Sequence, residues 1–203
     1  MTTVALAALD DLQVFRTPAL RSIRLMIESF LEVSLGNIAL PTDVRAEQIT
    51  LLNRQDIEAC VVERPPFVLL GKAVIIGGSY ILSAAPISVA RCEGHFPDRP
   101  VVPLVRMCEA AAQTGVVLFQ HNITTDKIPV AMGSERNRSL ISDFTEPPIT
   151  LLIEGIRIKE RKNTFCEVNG KIYADGRPIA YIDEIKYLTA PRSAVTRRTA
   201  ITN

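Results

Sequence analysis

One long and nearly all-apolar segment, "PLVRMCEAAAQTGVVLFQH" (residues 103–121), lies between strand-like segments in the second half of the chain. A segment of this length that starts at a proline predicts a helix that is buried on most sides. The flanking segments have the composition of strands, and they are FVLLGKAVIIGG, YILSAAPISVARC, ITLLIEGIRIKE, TFCEVNGKIYA and PIAYIDEIKYL. Short connections, including the turn signal Asp175-Gly176, favour antiparallel pairing. We therefore expect an α+β domain in which five or more strands wrap around one helix.

The first 63 residues have a helical period instead. In "LRSIRLMIESFLEVSL", apolar residues recur at helical spacing and charged residues lie opposite, which predicts an amphipathic helix. A short second helix is indicated near Asp56, and Pro65 and Pro66 prevent it from continuing. We expect a helical extension over residues 1–56, a strand-rich domain over 57–190 and a tail with little to bury over 191–203.

Composition excludes several classes of function. The 203 residues are 47% hydrophobic and carry a net charge of +1, so total charge predicts neither a nucleic acid partner nor an anionic membrane. No window approaches the ~18 apolar residues of a membrane span, and the start has no basic leader, so a cytoplasmic protein is expected. The four cysteines form no CxxC pair, which favours free thiols over a metal site.

Two side chains near the start of the apolar segment are candidates for acid–base catalysis. His95 lies in "EGHFPDRP", a loop stiffened by prolines, and Glu109 lies fourteen positions later in the predicted helix. A carboxylate on such a helix is expected to be neutral, hydrogen-bonded or directed into a cavity, because an unpaired buried charge costs several kcal/mol. Either residue could instead be structural, with His95 in a surface loop and Glu109 on an exposed stripe.

The helix start adds possible hydrogen-bond donors. Pro103 suits the first helical position, so the amides of Leu104 and Val105 would have no intrahelical partner. Free amides beside a histidine could polarise a carbonyl group, as in an oxyanion hole. Gln113 follows Glu109 by four positions and shares its helix face. The second histidine, His121, ends the helix and is expected to be solvated.

"RPPFVLL", followed by "GHFPDRPVVPLVRMCEAAAQTG", resembles the 3-hydroxyacyl carrier protein dehydratases of the hotdog fold. The resemblance spans residues 57–188 and includes the spacing from the histidine to the glutamate. It implies a curved antiparallel sheet around a central helix. It also implies a dimer, either a homodimer or a heterodimer with another dehydratase-like subunit, in which His95 of one subunit faces Glu109 of the other.

The resemblance also implies the chemistry. His95 would remove the C2 proton of a 3-hydroxyacyl thioester held on an acyl carrier protein, and Glu109 would protonate the departing hydroxyl. Leu104 and Val105 at the helix start, with Phe96 and Gln113, would bind the substrate and polarise its carbonyl. No metal or organic cofactor is needed, because a base, an acid and amide donors suffice. The implied pathway is fatty-acid or polyketide biosynthesis.

Two departures from the family pattern keep other functions open. Leu104 stands where the family has glycine, and the family's later Pro-Gly-Asp turn is absent. One alternative is a non-catalytic partner that binds the carrier and pairs with an active dehydratase. Another is a hotdog thioesterase, although the GHFP motif argues against it.

The extension has a second resemblance, to the later part of an acyl carrier domain. "DDL", "PAL", "IALP" and "QDI" occur in the order found in such domains. Pro18-Ala19 stands at the phosphopantetheine attachment site, so the serine nucleophile is missing. The extension would then be a degenerate carrier-like segment, and the alternative is an unrelated helical extension.

Overall fold

The structure is a computed structural model, and it describes residues 18–63, 65–92, 100–123, 125–140 and 146–196. Two of the predicted site residues, His95 and Phe96, lie outside these ranges. The described helices are α1 (Pro18–Leu31), α2 (Arg54–Cys60), α3 (Leu104–His121) and α4 (Arg192–Thr196). Single 3₁₀ turns cover Ala46–Gln48 and Val89–Arg91.

Within the described residues, eight strands form one antiparallel sheet. They are β1 (Ile49–Leu52), β2 (Lys72–Ile76), β3 (Tyr80–Ile87), β4 (Lys127–Gly133), β5 (Arg136–Ser139), β6 (Ile149–Arg161), β7 (Phe165–Ala174) and β8 (Arg177–Pro191). Their order is β1-β2-β3-β6-β7-β8-β4, and β5 pairs with β8 as well. The β7–β8 turn has positive φ at Asp175 (49°) and Gly176 (73°), as a tight hairpin requires.

Helix α3 packs against the inner face of the sheet. Its Ala110, Val117, Leu118 and Phe119 are fully buried in one cluster with alternate residues of β2, β3, β6, β7 and β8. A helix that is apolar around most of its circumference needs such enclosure, because a single flat face would leave apolar surface in water. The predicted helix wrapped by a sheet is therefore confirmed.

Helix α1 covers part of the outer face of the same sheet. Its buried residues Ile23, Ile27 and Leu31 form a second cluster with outward-facing residues of β2, β3, β6 and β7. Beneath this cover, the hydroxyls of Tyr80 and Tyr173 donate to the two carboxylate oxygens of Glu154, at 2.9 and 2.6 Å. The amphipathic segment of the extension thus buries its apolar stripe on the sheet.

Several elements differ from the expectations in detail. Strand β1 lies within the first 56 residues and is an edge strand of the sheet, paired with β2. Pro103 is the residue before the helix rather than its first residue, with φ −67° and ψ 148°. Strands β4 and β5 were not predicted. None of the helices in the described ranges has the length and apolarity to cross a membrane.

Candidate functional site

Glu109 and Gln113 form a hydrogen-bonded pair on α3. The Gln113 Nε2 donates to Glu109 Oε1 over 2.7 Å, and the Glu109 side chain is half-buried. The spacing of four residues places both on one face of the helix, as the sequence indicated. Gln113 thus supplies a hydrogen-bond donor to one carboxylate oxygen of Glu109.

Gln113 also holds the chain that leads into β2. Its side chain is only 1% exposed, its Nε2 donates to the Phe67 carbonyl over 2.9 Å, and its Oε1 accepts from the Leu69 amide over 2.8 Å. The two donor hydrogens and the acceptor oxygen of this amide are all engaged. The position of the Glu109 carboxylate is therefore tied to the backbone of residues 67–69.

The start of α3 presents backbone amides next to exposed side chains. The Arg106 and Met107 amides both donate to the Pro103 carbonyl, whereas Leu104 and Val105 come too early in the helix for an intrahelical acceptor. The Val105 side chain is 69% exposed and that of Leu104 is 37% exposed. The assignment of the Leu104 and Val105 amides as carbonyl-polarising donors stays a prediction.

The described residues on either side of the segment that contains His95 and Phe96 are buried. Cys92 is 1% exposed, and Val101 and Val102 are 1% and 2% exposed. Only Pro103 separates Val102 from the start of α3. The assignments of His95 and Phe96 to the site stay predictions.

Tyr187, which lies beneath α3, was not predicted from the sequence. This side chain is fully buried, and its hydroxyl donates to the Ala112 carbonyl over 3.2 Å. Burial first, and then the charges of Cys166 and Glu109, raise the pKa of Tyr187 well above its usual value. The hydroxyl fits only because Gly115 has no side chain: a Cβ there would lie 2.1 Å from it. A glycine inside an apolar helix was the available signal.

Two arginines near the site were also missed. The Arg54 Nη1 donates to the Leu70 carbonyl over 2.7 Å, and the Arg91 Nη2 donates to the Val68 carbonyl over 3.4 Å. Together with Gln113, these side chains bind four consecutive backbone residues, 67–70. No local pattern indicated either contact, since the partners are sixteen or more positions apart in sequence.

Comparison with known proteins gives several relatives of the sequence. No model of a known protein family matches. The sequence is similar to the 3-hydroxyacyl-[acyl-carrier-protein] dehydratase FabZ of Solibacter usitatus, with 29% identity over 139 residues that cover 65% of this chain and 82% of that protein. It is 36% identical over 95 residues to the bifunctional enzyme LpxC/FabZ of Bacteroides thetaiotaomicron, a match that covers 45% of this chain and only 20% of that longer protein.

Among solved structures, the chain is similar to a chain of the dehydratase heterocomplex ApeI:P from Xenorhabdus doucetiae. The TM-score is 0.56 with 14% sequence identity, and the match covers 70% of this chain and 96% of that one. At this identity the similarity shows the fold alone.

An antiparallel sheet wrapped around one helix, matched by this structural neighbour, defines a protein of the hotdog fold. The fold predicted from the sequence is therefore confirmed. The sequence matches to dehydratases from several bacteria also confirm the predicted resemblance, and the chain is a relative of the 3-hydroxyacyl-[acyl-carrier-protein] dehydratases.

Proposed function

We propose that the protein dehydrates 3-hydroxyacyl thioesters of an acyl carrier protein to trans-2-enoyl thioesters, in fatty-acid or polyketide-type biosynthesis. It would then be a hydro-lyase. The observation that carries this proposal is the match to FabZ dehydratases, which cover up to 66% of this chain at 26–29% identity. The hydrogen-bonded Glu109 on the enclosed helix supports it by supplying a positioned carboxyl group.

In the proposed reaction, the imidazole of His95 takes the proton from C2 of the substrate. The electron pair of that C–H bond forms the C2–C3 double bond, and the C3–O bond breaks. Glu109 gives its proton to the leaving hydroxyl, which departs as water. The Leu104 and Val105 amides stabilise negative charge that develops on the thioester oxygen. Because Gln113 already donates to Glu109 Oε1, the other carboxyl oxygen is the one left to serve the substrate.

A composite site is part of the proposal. His95 of one subunit would act with Glu109 of another, in a homodimer or in a heterodimer with a dehydratase-like subunit. Phe96 would line the acyl path beside His95. The acyl carrier protein, with its phosphopantetheine-linked acyl chain, would be the substrate-bearing partner.

The test offers the purified protein a 3-hydroxyacyl carrier thioester and follows the products by mass. Loss of water is the expected result, whereas release of free acid would indicate a thioesterase. His95→Ala and Glu109→Gln should each be nearly inactive. If the site is composite, mixing these two variants should restore part of the activity, since one site of each mixed dimer is intact. Full activity of the His95→Ala variant would refute the mechanism.

Leu104 favours a second candidate function, that of a non-catalytic partner subunit. Its side chain is 37% exposed at the helix start, where glycine would let a thioester approach the amide closely. If leucine obstructs this approach, Leu104→Gly should raise turnover although glycine costs the helix up to ~1 kcal/mol. A wild-type protein that turns over alone and gains nothing from Leu104→Gly would exclude obstruction. A protein that is active only beside a second dehydratase-like subunit, with activity that survives His95→Ala and Glu109→Gln in this chain, would establish the non-catalytic partner role.

A further inference from the structure

A surface groove of about 500 Å³ opens where β3 ends and β6 begins. Its walls are apolar, formed by Pro86–Ile87 on one strand and Pro148–Ile149 on the other side, and its polar groups come from Ser88, Thr150 and Arg91. Apolar walls with a few converging polar groups are typical of sites for small ligands. We call this the Arg91 groove.

Within the described ranges, the positive charge at one end of the groove has no counter-ion. The Arg91 Nη1 is buried and has no hydrogen-bond partner among the described residues, and no described carboxylate lies within ion-pair distance of Arg91 or Arg106. Burial first, and then the positive charges of Arg54 and Arg106, lower the pKa of Arg91. Glu58 compensates Arg54 over 2.6 Å. A buried guanidinium donor beside like charges is costly unless an anion accepts from it.

The groove lies at the same end of the molecule as the candidate acid. Arg91 binds the Val68 carbonyl, while Gln113, the partner of Glu109, binds the residues on either side of Val68. Arg91 also directly precedes the buried Cys92, which lies three positions before His95 in the sequence. A thioester bound at Glu109 could therefore place another of its groups in the groove.

We propose that the Arg91 groove binds an oxyanion carried by the thioester substrate. This inference rests on the proposed function for the identity of the ligand. Two groups have the required chemistry: the phosphate of the pantetheine arm and a carboxylate on the acyl chain. Arg91 supplies the charged donor, and the hydroxyls of Ser88 and Thr150 line the same space. The apolar walls accommodate the hydrocarbon that carries the anion.

Three thioesters separate the two sources of the anion. 3-Hydroxybutyryl-pantetheine is uncharged, 3-hydroxybutyryl-phosphopantetheine adds the phosphate, and 3-hydroxyglutaryl-pantetheine adds a carboxylate. The wild-type protein should prefer one of the two anionic thioesters by at least about tenfold in kcat/KM, as expected for a hydrogen bond to a charged group. Arg91→Gln should remove most of that preference, and Arg91→Lys should keep part of it. Arg21→Gln, which removes an exposed charge on α1, is the matched control and should keep all of it.

A binding measurement keeps this inference separate from the proposed function. Calorimetry would compare phosphopantetheine with pantetheine, and glutarate with its monomethyl ester, on the wild type and on Arg91→Gln. Binding of one anion that needs Arg91 supports the groove even if no dehydration occurs, in which case only the proposed function fails. Equal binding of the charged and uncharged probes, or a substrate preference that survives Arg91→Gln, would overturn the inference. Should Arg91→Gln not fold, Thr150→Val removes a lining hydroxyl at nearly constant volume and should weaken the same anion.

Discussion

The packing of the extension on the sheet can be tested at one residue, Ile27. Its side chain is fully buried between α1 and the outer face of the sheet, whereas Leu25 on the same helix is 57% exposed. Ile27→Ala removes three carbon atoms from a closed cluster and leaves a cavity. Such substitutions cost about 2–5 kcal/mol in the free energy of unfolding. Leu25→Ala removes as many atoms from a solvated position and should change stability by less than about 0.5 kcal/mol.

These free energies correspond to a measurable difference in melting temperature. For a chain of 203 residues, 1 kcal/mol shifts Tm by roughly 2–4 °C. Ile27→Ala should therefore lower Tm by about 4–20 °C, and Leu25→Ala by no more than about 2 °C. Thermal unfolding followed by circular dichroism would check both values, with urea titration at a fixed temperature as a second measurement.

The comparison has a clear refuting result. Both variants place alanine, the best helix former, in α1, so helix propensity favours each of them slightly. A difference in Tm must then come from packing. If the two variants melt within about 2 °C of each other, α1 does not pack on the sheet through Ile27. The burial of the apolar stripe of α1 on the outer face of the sheet would then be refuted.

Further predictions concern the central helix and its site. Gly115→Ala should lower Tm by several degrees, because the new Cβ would lie 2.1 Å from the Tyr187 hydroxyl and overpacking costs about 1–3 kcal/mol. Gly170→Ala, whose nearest contact would be an ordinary 3.4 Å, should leave Tm nearly unchanged in the same thermal scan. His95→Ala and Glu109→Gln should each lower the rate of enoyl product formation by at least about a hundredfold, with a smaller effect on Tm than on turnover.

The sequence was most informative where a pattern was long or chemically specific. The 18 residues of α3 form a long, nearly all-apolar segment, and the long strands β6, β7 and β8 have the composition of strands. Asp175-Gly176 accepts the positive φ angles that the turn between β7 and β8 requires. The amphipathic pattern of α1 predicted which residues would be buried, but not that an outer sheet face would receive them. That choice depends on strands that lie forty or more positions away.

Strands β1, β4 and β5 show why other elements were missed. β1 has only four residues, and the four residues of β5 are all exposed, so neither has a readable alternation. β4 contains a proline and ends at a bulge opposite β8. Pairing with a longer neighbour determines these strands, and the sequence of the segment itself carries little of that information.

The candidate site was also only partly predictable from the sequence. The spacing of Glu109 and Gln113 predicted a shared helix face, and the structure brings them to 2.7 Å. The contacts of Gln113 with Phe67 and Leu69 join residues more than forty positions apart, so no local pattern could predict them. The same holds for Arg91, whose position in a surface groove depends on where β6 begins.

Strand β2 links the extension to the candidate site. Its outward-facing Val74 and Ile76 lie in the cluster that buries α1, and its inward-facing Ala73 and Ile75 lie in the cluster that encloses α3. The segment that Gln113 holds, residues 67–69, leads directly into this strand. The cover on the outer face therefore stabilises the same strand on which the orientation of Gln113, and through it the Glu109 carboxyl group, depends. Closely packed interiors transmit strain. We therefore expect a substitution that loosens the packing of α1 to change the position of the Glu109 carboxyl group through β2, although α1 and α3 lie on opposite faces of the sheet.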